Sequence, residues 1–251
     1  MRFAYLGSGS RGNAAVVEAG DTLVLIDCGF SVKETRKRLA RLDKVPEDLT
    51  AILVTHEHSD HFSGVARLSK RYSIPVWLTP GTHAATGERV AAPRLFDCHG
   101  SFTLAAVTVE PVPVPHDARE PCQYVLSDGR RRIGVLTDTG HITPHIRKSY
   151  SGCDALAVEC NHDRDLLENG PYPVALKRRV GGRLGHLSNA QTAELVGEVM
   201  HSGLKHVVAV HLSEQNNTPD HARDALSEAL DCSPGDITVA DQDDGMGWLD
   251  V

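Results

Sequence analysis

The stretch Thr55-His56-Glu57-His58-Ser59-Asp60-His61 follows directly on the apolar run Ala51-Ile52-Leu53-Val54. That run reads as a buried strand, which places the stretch on the loop leaving the strand's C-terminal end. A rigid sheet commonly carries its chemistry on such loops. Imidazoles and carboxylates at His56, His58, Asp60 and His61 suit a divalent first-row ion. The His-x-His spacing lets two rings converge on one centre while Asp60 and His61 turn towards a second. A solvated loop rich in histidine would account for two isolated rings, but not for four donors packed together behind a strand.

The rest of the chain sets the bounds. Its 251 residues carry no internal repeat, low-complexity tract or long linker, so a single domain spanning 1–251 is expected. No apolar run approaches the roughly 18 residues of a membrane span. The N-terminal Met1–Leu6 runs straight into Gly7-Ser8-Gly9-Ser10 without an apolar signal core. Six cysteines, at 28, 98, 122, 153, 160 and 232, form no C-x-x-C pair and read as reduced thiols, so a cytoplasmic protein is expected. Cys28 and Cys160 lie at strand ends and read as small buried hydrophobes.

A net charge of −7 weighs against a polyanionic partner, although two divalent ions against two ligand carboxylates would leave the pocket itself positive. Basic residues also cluster. Lys33, Arg36, Lys37, Arg38 and Arg41 fall on one helix and read as a solvated face, whereas Lys177-Arg178-Arg179 and Arg183 precede a further histidine motif.

Short strands and tight turns alternate through the first third: Phe3–Leu6, a Gly/Ser/Asn turn over 8–13, and a hairpin of Ala14–Glu18 and Thr22–Asp27 around Gly20-Asp21. Ser31 and Glu34 make a capping box for a helix bearing Val32, Leu39 and Leu42 on one face. A helix near Ser63–Tyr72 leads to the strand Val76–Leu78. Val107–Val114 is strand despite Pro111 and Pro113, which implies an edge or an irregular end. Tyr124–Leu126 and Ile133–Leu136 pair across Asp128-Gly129, Ala155–Glu159 is a buried strand, and Ser188 with Gln191 opens a helix through Met200. Val207–Val210 is a strand, Thr218 and Pro219 start the last helix, and Ile237–Ala240 and Met246–Val251 close as strands. Strand-rich halves that each carry helices fit an α/β layered sandwich.

The His-x-His-x-Asp-His spacing resembles the signature of the metallo-β-lactamase-fold hydrolases. That fold completes its centre with a His, an Asp in a DTG-like turn and a late His. This chain offers His116 in Val114-Pro115-His116-Asp117, Asp138 in Thr137-Asp138-Thr139-Gly140 and His211 in Val210-His211-Leu212-Ser213, in order. The resemblance implies a four-layer αβ/βα sandwich with the site at the edge of the sheets. It implies two divalent ions (Zn or Mn, with Fe also compatible), one held by His56, His58 and His116 and the other by Asp60, His61 and His211, with Asp138 bridging. Such a pair can generate a nucleophile from water and stabilise a leaving oxygen. No cysteine stands at a ligand position, which sets antibiotic hydrolysis aside.

Thioester hydrolases of the fold share these seven ligands, so Gly185-His186-Leu187-Ser188-Asn189 decides the substrate class. It resembles the extra histidine motif of the fold's nucleases, in which this His pairs with the ligand Asp and faces the scissile phosphate. Carried over, His186 pairs with Asp60 and acts on the leaving oxygen, and Asp60 and His186 become the catalytic pair. Arg179 and Arg183 then serve as phosphate clamps. Short spacings, from His116 to Asp138 and from Asp138 to His211, leave no room for a long exosite arm or an inserted domain.

The whole motif set looks most like the YycJ (WalJ) family of compact metallo-hydrolases, described as 5′→3′ exonucleases on DNA. The resemblance makes DNA the expected partner. Ser8, Ser10, Asn13, Asn161 and Ser188 join the two arginines as candidate substrate contacts, and Asp27 is expected to orient the metal loop. Two alternatives are a phosphodiesterase acting on small cyclic or dinucleotide phosphates, and a metal-binding regulatory relative without turnover.

Overall fold

The computed structural model describes residues 1–87 and 89–251. Among these residues fourteen strands form two seven-stranded sheets. In the first, β1 (Arg2–Gly7), β2 (Ala14–Ala19), β3 (Thr22–Ile26), β4 (Ala51–Leu53), β5 (Val76–Leu78) and β6 (Pro93–Leu95) lie side by side in chain order. The second runs β7 (Phe102–Leu104), β8 (Val107–Pro113), β9 (Cys122–Ser127), β10 (Arg132–Leu136), β11 (Ala155–Glu159), β12 (His206–Val210) and β13 (Thr238–Val239). The final strand, β14 (Met246–Asp250), returns to the first sheet beside β1.

Both sheets have the same construction. An antiparallel portion, β1 to β3 or β7 to β10, passes into a parallel one, β3 to β6 or β10 to β13. Parallel neighbours need crossovers, and helices occupy them. On the first sheet these are α1 (Val32–Ala40), α2 (Ser59–Phe62), α3 (Val65–Tyr72) and α4 (Pro80–Ala85). On the second they are α5 (Pro144–Tyr150), α6 (Arg164–Asn169), α7 (Val174–Val180), α8 (Asn189–Val199) and α9 (Pro219–Leu230).

Side-chain alternation along the strands separates the layers. Val24 and Ile26 of β3 face inward and join Tyr124, Leu126, Val135 and Val208 of the other sheet in the central core. Leu23 and Leu25 face outward against Leu39 of α1 and Leu68 of α3. On the second sheet Leu136, Leu156 and Val158 pack under Ile146, Leu195, Val196 and Leu226. Four layers result, helix–sheet–sheet–helix, in agreement with the expected sandwich. Truncating a fully buried core leucine such as Leu39 to alanine would cost about 2–5 kcal/mol.

Helix starts follow local chemistry. Ser188 and Gln191 form the expected capping box of α8, and the Thr218 hydroxyl accepts from His221 N ahead of Pro219 in α9. At α1 the Ser31 hydroxyl accepts from Glu34 N, but the Glu34 carboxylate turns to Arg38 Nε at 2.9 Å, so only half the expected box forms. Pro111 and Pro113 fall where β8 has lost β7 and keeps only β9 as neighbour, so no ladder donor is missing on the open side. No helix among the described residues is long and apolar enough to cross a membrane.

Candidate active site

Strand ends build the site. β3, β4, β10, β11 and β12 all finish at one edge of the sandwich, where open parallel sheets place their ligands. Tyr124 Oη donates to Val54 O (2.5 Å) and Cys122 N to Thr55 O (3.1 Å), so the two sheets are tied together where the metal loop begins. Asp27, Asp138 and His211, each just beyond a parallel strand, have φ of 59°, 50° and 57°. That left-handed turn is uncommon for side chains other than glycine and marks positions held by their surroundings. Two glycines permit the close approach. A Cβ on Gly29 would lie 2.0 Å from the Asp60 carbonyl oxygen, and one on Gly140 would lie 2.3 Å from the main chain of Arg183.

The seven donors that the resemblance implies are brought together here. His56, His58 and His116 form one group, Asp60, His61 and His211 another, and within each group the donor atoms lie within 4.8 Å of one another. Asp138 stands between the groups, with Oδ2 at 3.1 Å from His61 Nε2 and Oδ1 at 3.8 Å from His116 Nε2.

The second nitrogen of each ring determines which nitrogen is left for a metal. Thr55 Oγ1 gives its hydrogen to Asp27 Oδ2 (2.7 Å) and so accepts from His56 Nδ1 (2.9 Å). His61 Nδ1 donates to the same Asp27 oxygen at 2.7 Å. His58 Nε2 donates to Asp117 O (3.2 Å), His116 Nδ1 to Gly185 O (3.1 Å) and His211 Nδ1 to Glu159 Oε1 (2.9 Å). The free nitrogens then present lone pairs to one another: His116 Nε2 and His58 Nδ1 are 3.3 Å apart. His56 Nε2 and Asp138 Oδ2 are buried without a hydrogen-bond partner. Apposed lone pairs and orphaned buried acceptors are costly unless a cation lies between them, and this nitrogen-and-oxygen donor set fits divalent metal.

The electrostatics agree. Burial alone would push His211 down, but Asp138, Asp60 and Glu159 carry it up to about 10. His61, despite burial, is held well above the usual range by Asp138, Asp60 and Asp27. His56 goes the other way, driven down by burial and by its neighbouring imidazoles. Asp138 stays well below the ordinary carboxylate range because His211, His61 and His56 outweigh its burial. The carboxylates thus draw positive charge to the positions a cation would take.

Glu159, the last residue of β11, was missing from the expected site. It is fully buried and accepts five hydrogen bonds: Oε1 from His186 Nδ1 (2.8 Å), His211 Nδ1 (2.9 Å) and Asp138 N (3.1 Å), Oε2 from Leu187 N (3.0 Å) and Thr139 N (3.3 Å). With its lone pairs so occupied it is an orienting group rather than a ligand. Burial opposes its ionisation, yet His186 and His211 hold its pKa down to about 2. One local signal could have found it: a glutamate ending an otherwise apolar buried strand needs a polar partner.

Some expected roles move. His186 does not pair with Asp60; its Nδ1 bonds Glu159 and lies 3.7 Å from Asp138 Oδ1, because β11 carries Glu159 beneath the ring. Ser10, Asn161 and Arg179 do line the metal cleft, about 360 Å³ in volume, beside His186, Asp60 and Tyr172. Ser8, Asn13 and Ser188 are instead used by the framework. Ser8 Oγ accepts from His211 N (2.8 Å), Asn13 bridges Gly9 and Asp60, and Ser188 caps α8. Arg183 offers its carbonyl to His141 Nδ1 (2.9 Å) while its side chain is exposed; Arg179, by contrast, reaches Asp117 Oδ2 at 2.7 Å. Asp27 orients the loop as expected, through Thr55 and His61.

Residues 22–212 match the family described as a beta-lactamase superfamily domain. The exodeoxyribonuclease YycJ of Bacillus anthracis is 33% identical over 236 residues, covering 92% of this chain and 89% of that protein. WalJ of Streptococcus pneumoniae, also an exodeoxyribonuclease, is 32% identical over 237 residues, covering 92% and 88%. The fold alone is shared with the metallo-β-lactamase fold protein YhfI of Bacillus subtilis (TM-score 0.78, 15% identity, 99% and 98% covered) and with the short form of human tRNase Z (TM-score 0.70, 16% identity, 100% and 99% covered). The seven-donor cluster at the sheets' edge, the superfamily match and full-length similarity to the exodeoxyribonucleases together make this chain a metallo-β-lactamase-fold hydrolase of the YycJ/WalJ family.

Proposed function

We propose that the protein is a dinuclear metal-dependent phosphodiesterase acting as a 5′→3′ exonuclease on DNA. The observation that carries this reading is the position of His186, a sixth ring beside the donor cluster. Its Nδ1 is tied to Glu159 and the residue lines the cleft, so Nε2 is its free nitrogen. His56, His58 and His116 would hold one ion and Asp60, His61 and His211 the other, with Asp138 shared; Zn, Mn and Fe all suit these ligands. Bound ions supply Lewis acidity and lower the pKa of water to the neutral range.

The chain's own residues do the rest. Arg179, from the last turn of α7, lines the cleft paired with Asp117, and would serve as an anion clamp by exchanging that carboxylate for a phosphate. Burial opposes a charge on His186, but Glu159 raises its pKa, so the ring can bring a proton to a leaving oxygen at Nε2. The names of the full-length relatives favour DNA and an exonucleolytic mode. The open size of the cleft also admits a small cyclic or dinucleotide phosphate.

A turnover panel tests the reading: single- and double-stranded DNA and RNA labelled at the 5′ or 3′ end, plus cyclic dinucleotides, with Mn²⁺ or Zn²⁺. Release of mononucleotides from the 5′ end of DNA is expected. Turnover confined to cyclic dinucleotides, or absent with every substrate in a metal-loaded protein, would overturn it.

A further inference from the structure

Helix α7 is a wall between two clefts. Leu176, Arg179 and Val180 on one face line the metal cleft, whereas Val174, Lys177 and Arg178 on the other, with Gly181 just past the helix, line a second cleft of about 610 Å³. The segment after β11 divides in the same way. Asn161 faces the metal cleft and the next residue, His162, faces the second.

The second cleft has the chemistry of an anion site. Arg164, Lys177 and Arg178 contribute cations and Gln191 an amide, against the single carboxylate of Glu168. The hydrogen bonds of Arg164 and Lys177 go to neutral acceptors: Arg164 Nε to Ser188 Oγ (3.3 Å) and Lys177 Nζ to the Glu168 carbonyl (2.6 Å). Their charge is therefore left over for a ligand. His162 is only 3% exposed and lines this cleft with its Nε2 towards Gly181 on the cleft wall, its Nδ1 being turned into the protein. In a chain of net charge −7, three cations against one carboxylate around one cavity also stand apart from the general surface.

We propose that this second cleft is a phosphate-binding subsite, which takes a backbone phosphate of the same nucleic-acid strand whose end lies in the metal cleft. The inference rests on the nucleic-acid reading above and extends it. The two clefts share a wall one helix thick, about 10 Å, a span that a strand covers in a few nucleotides. The strand crosses α7 over exposed Arg179, and Lys177 with Arg178 receives the next phosphates.

The test is binding of a fluorescent phosphorothioate single strand, resistant to cleavage, to the metal-loaded protein, read as Kd against salt. Lys177→Ala/Arg178→Ala is compared with Arg36→Ala/Lys37→Ala, which removes the same charge from exposed positions on α1. Each lost phosphate contact lowers the log–log salt slope for a single strand by about 0.7. The first variant should be shallower by about 1.4, shrinking the loss of affinity between 50 and 200 mM salt about sevenfold, and the α1 variant should match the wild type. Strands too short to pass α7 should bind both variants alike. Equal slopes for the two double variants, or no binding of the strand to the wild type, would overturn the subsite. The turnover panel separately decides the activity, so a protein that cuts DNA yet shows equal slopes loses only this proposal.

Discussion

Replacing Glu159 by glutamine probes the group that links the metal donors to His186. The change keeps the shape of the side chain but gives one of its two acceptor positions an NH2. If the amide nitrogen takes the Oε2 position, Leu187 N and Thr139 N lose their acceptor. If it takes the Oε1 position, His186 Nδ1, His211 Nδ1 and Asp138 N do. Either way at least two buried donors are left unpaired, at about 1–3 kcal/mol each, so folding stability should fall by about 2–6 kcal/mol. For a chain of this size 1 kcal/mol moves Tm by about 2–4 °C, and a drop of at least 4 °C is expected. The second orientation has a further consequence. His211 could relieve the clash only by moving its proton to Nε2, the nitrogen needed by a metal, so metal affinity should fall by about 10–100-fold. Differential scanning calorimetry and competition with a chelating indicator read the two effects. A Glu159→Gln protein with wild-type Tm and wild-type metal affinity would refute the reasoning.

Other residues offer independent checks. His186→Ala should keep its metal while kcat on DNA falls by about 10²–10⁴-fold, with a smaller loss on a nitrophenyl phosphodiester whose leaving group needs no proton; loss of metal would make the residue a ligand instead. Cys232 is exposed whereas Cys28, Cys98, Cys122, Cys153 and Cys160 are buried, so a disulfide reagent at pH 8 should find one accessible thiol in the native protein and six after denaturation. Glu18 is partly buried, but its bonds to Lys44 and Arg2 lower its pKa below the ordinary 4.5. Its contribution is therefore present above that value and lost as the pH falls through the lowered one; the Tm difference between wild type and Glu18→Gln should shrink from pH 7 to pH 3, and a constant difference would contradict the ion pairs.

The donor cluster His56 to His61 is legible in the chain because it follows an apolar run, whereas His116, Asp138 and His211 are legible only through the motifs that the resemblance to the metallo-β-lactamase fold supplies. In the structure these candidate donors lie on loops that leave strands. His56 to His61 after β4, Asp138 after β10 and His211 after β12 are all of this kind. What could not be read is which polar residue serves the framework. Ser8, Asn13 and Ser188 have the residue types of substrate contacts, yet they satisfy main-chain groups within the site, a distinction that only the packed backbone makes. Glu159 was hidden for the converse reason: its partners His186 and His211 come from elements far along the chain. The wrong partner for His186 has the same origin. Helices α4 and α5, short and each opened by a proline, present too few turns for a periodic pattern and escaped the reading.

The central claim is that Asp138 lies between two metal positions. The direct measurement is the metal content of the reconstituted protein and of Asp138→Asn, with folding followed by circular dichroism. About two transition-metal ions per chain are expected for the wild type, and at least one fewer for the folded variant. A folded wild type that binds a single ion under saturating Zn²⁺ or Mn²⁺, or an Asp138→Asn protein that keeps both, would contradict the account.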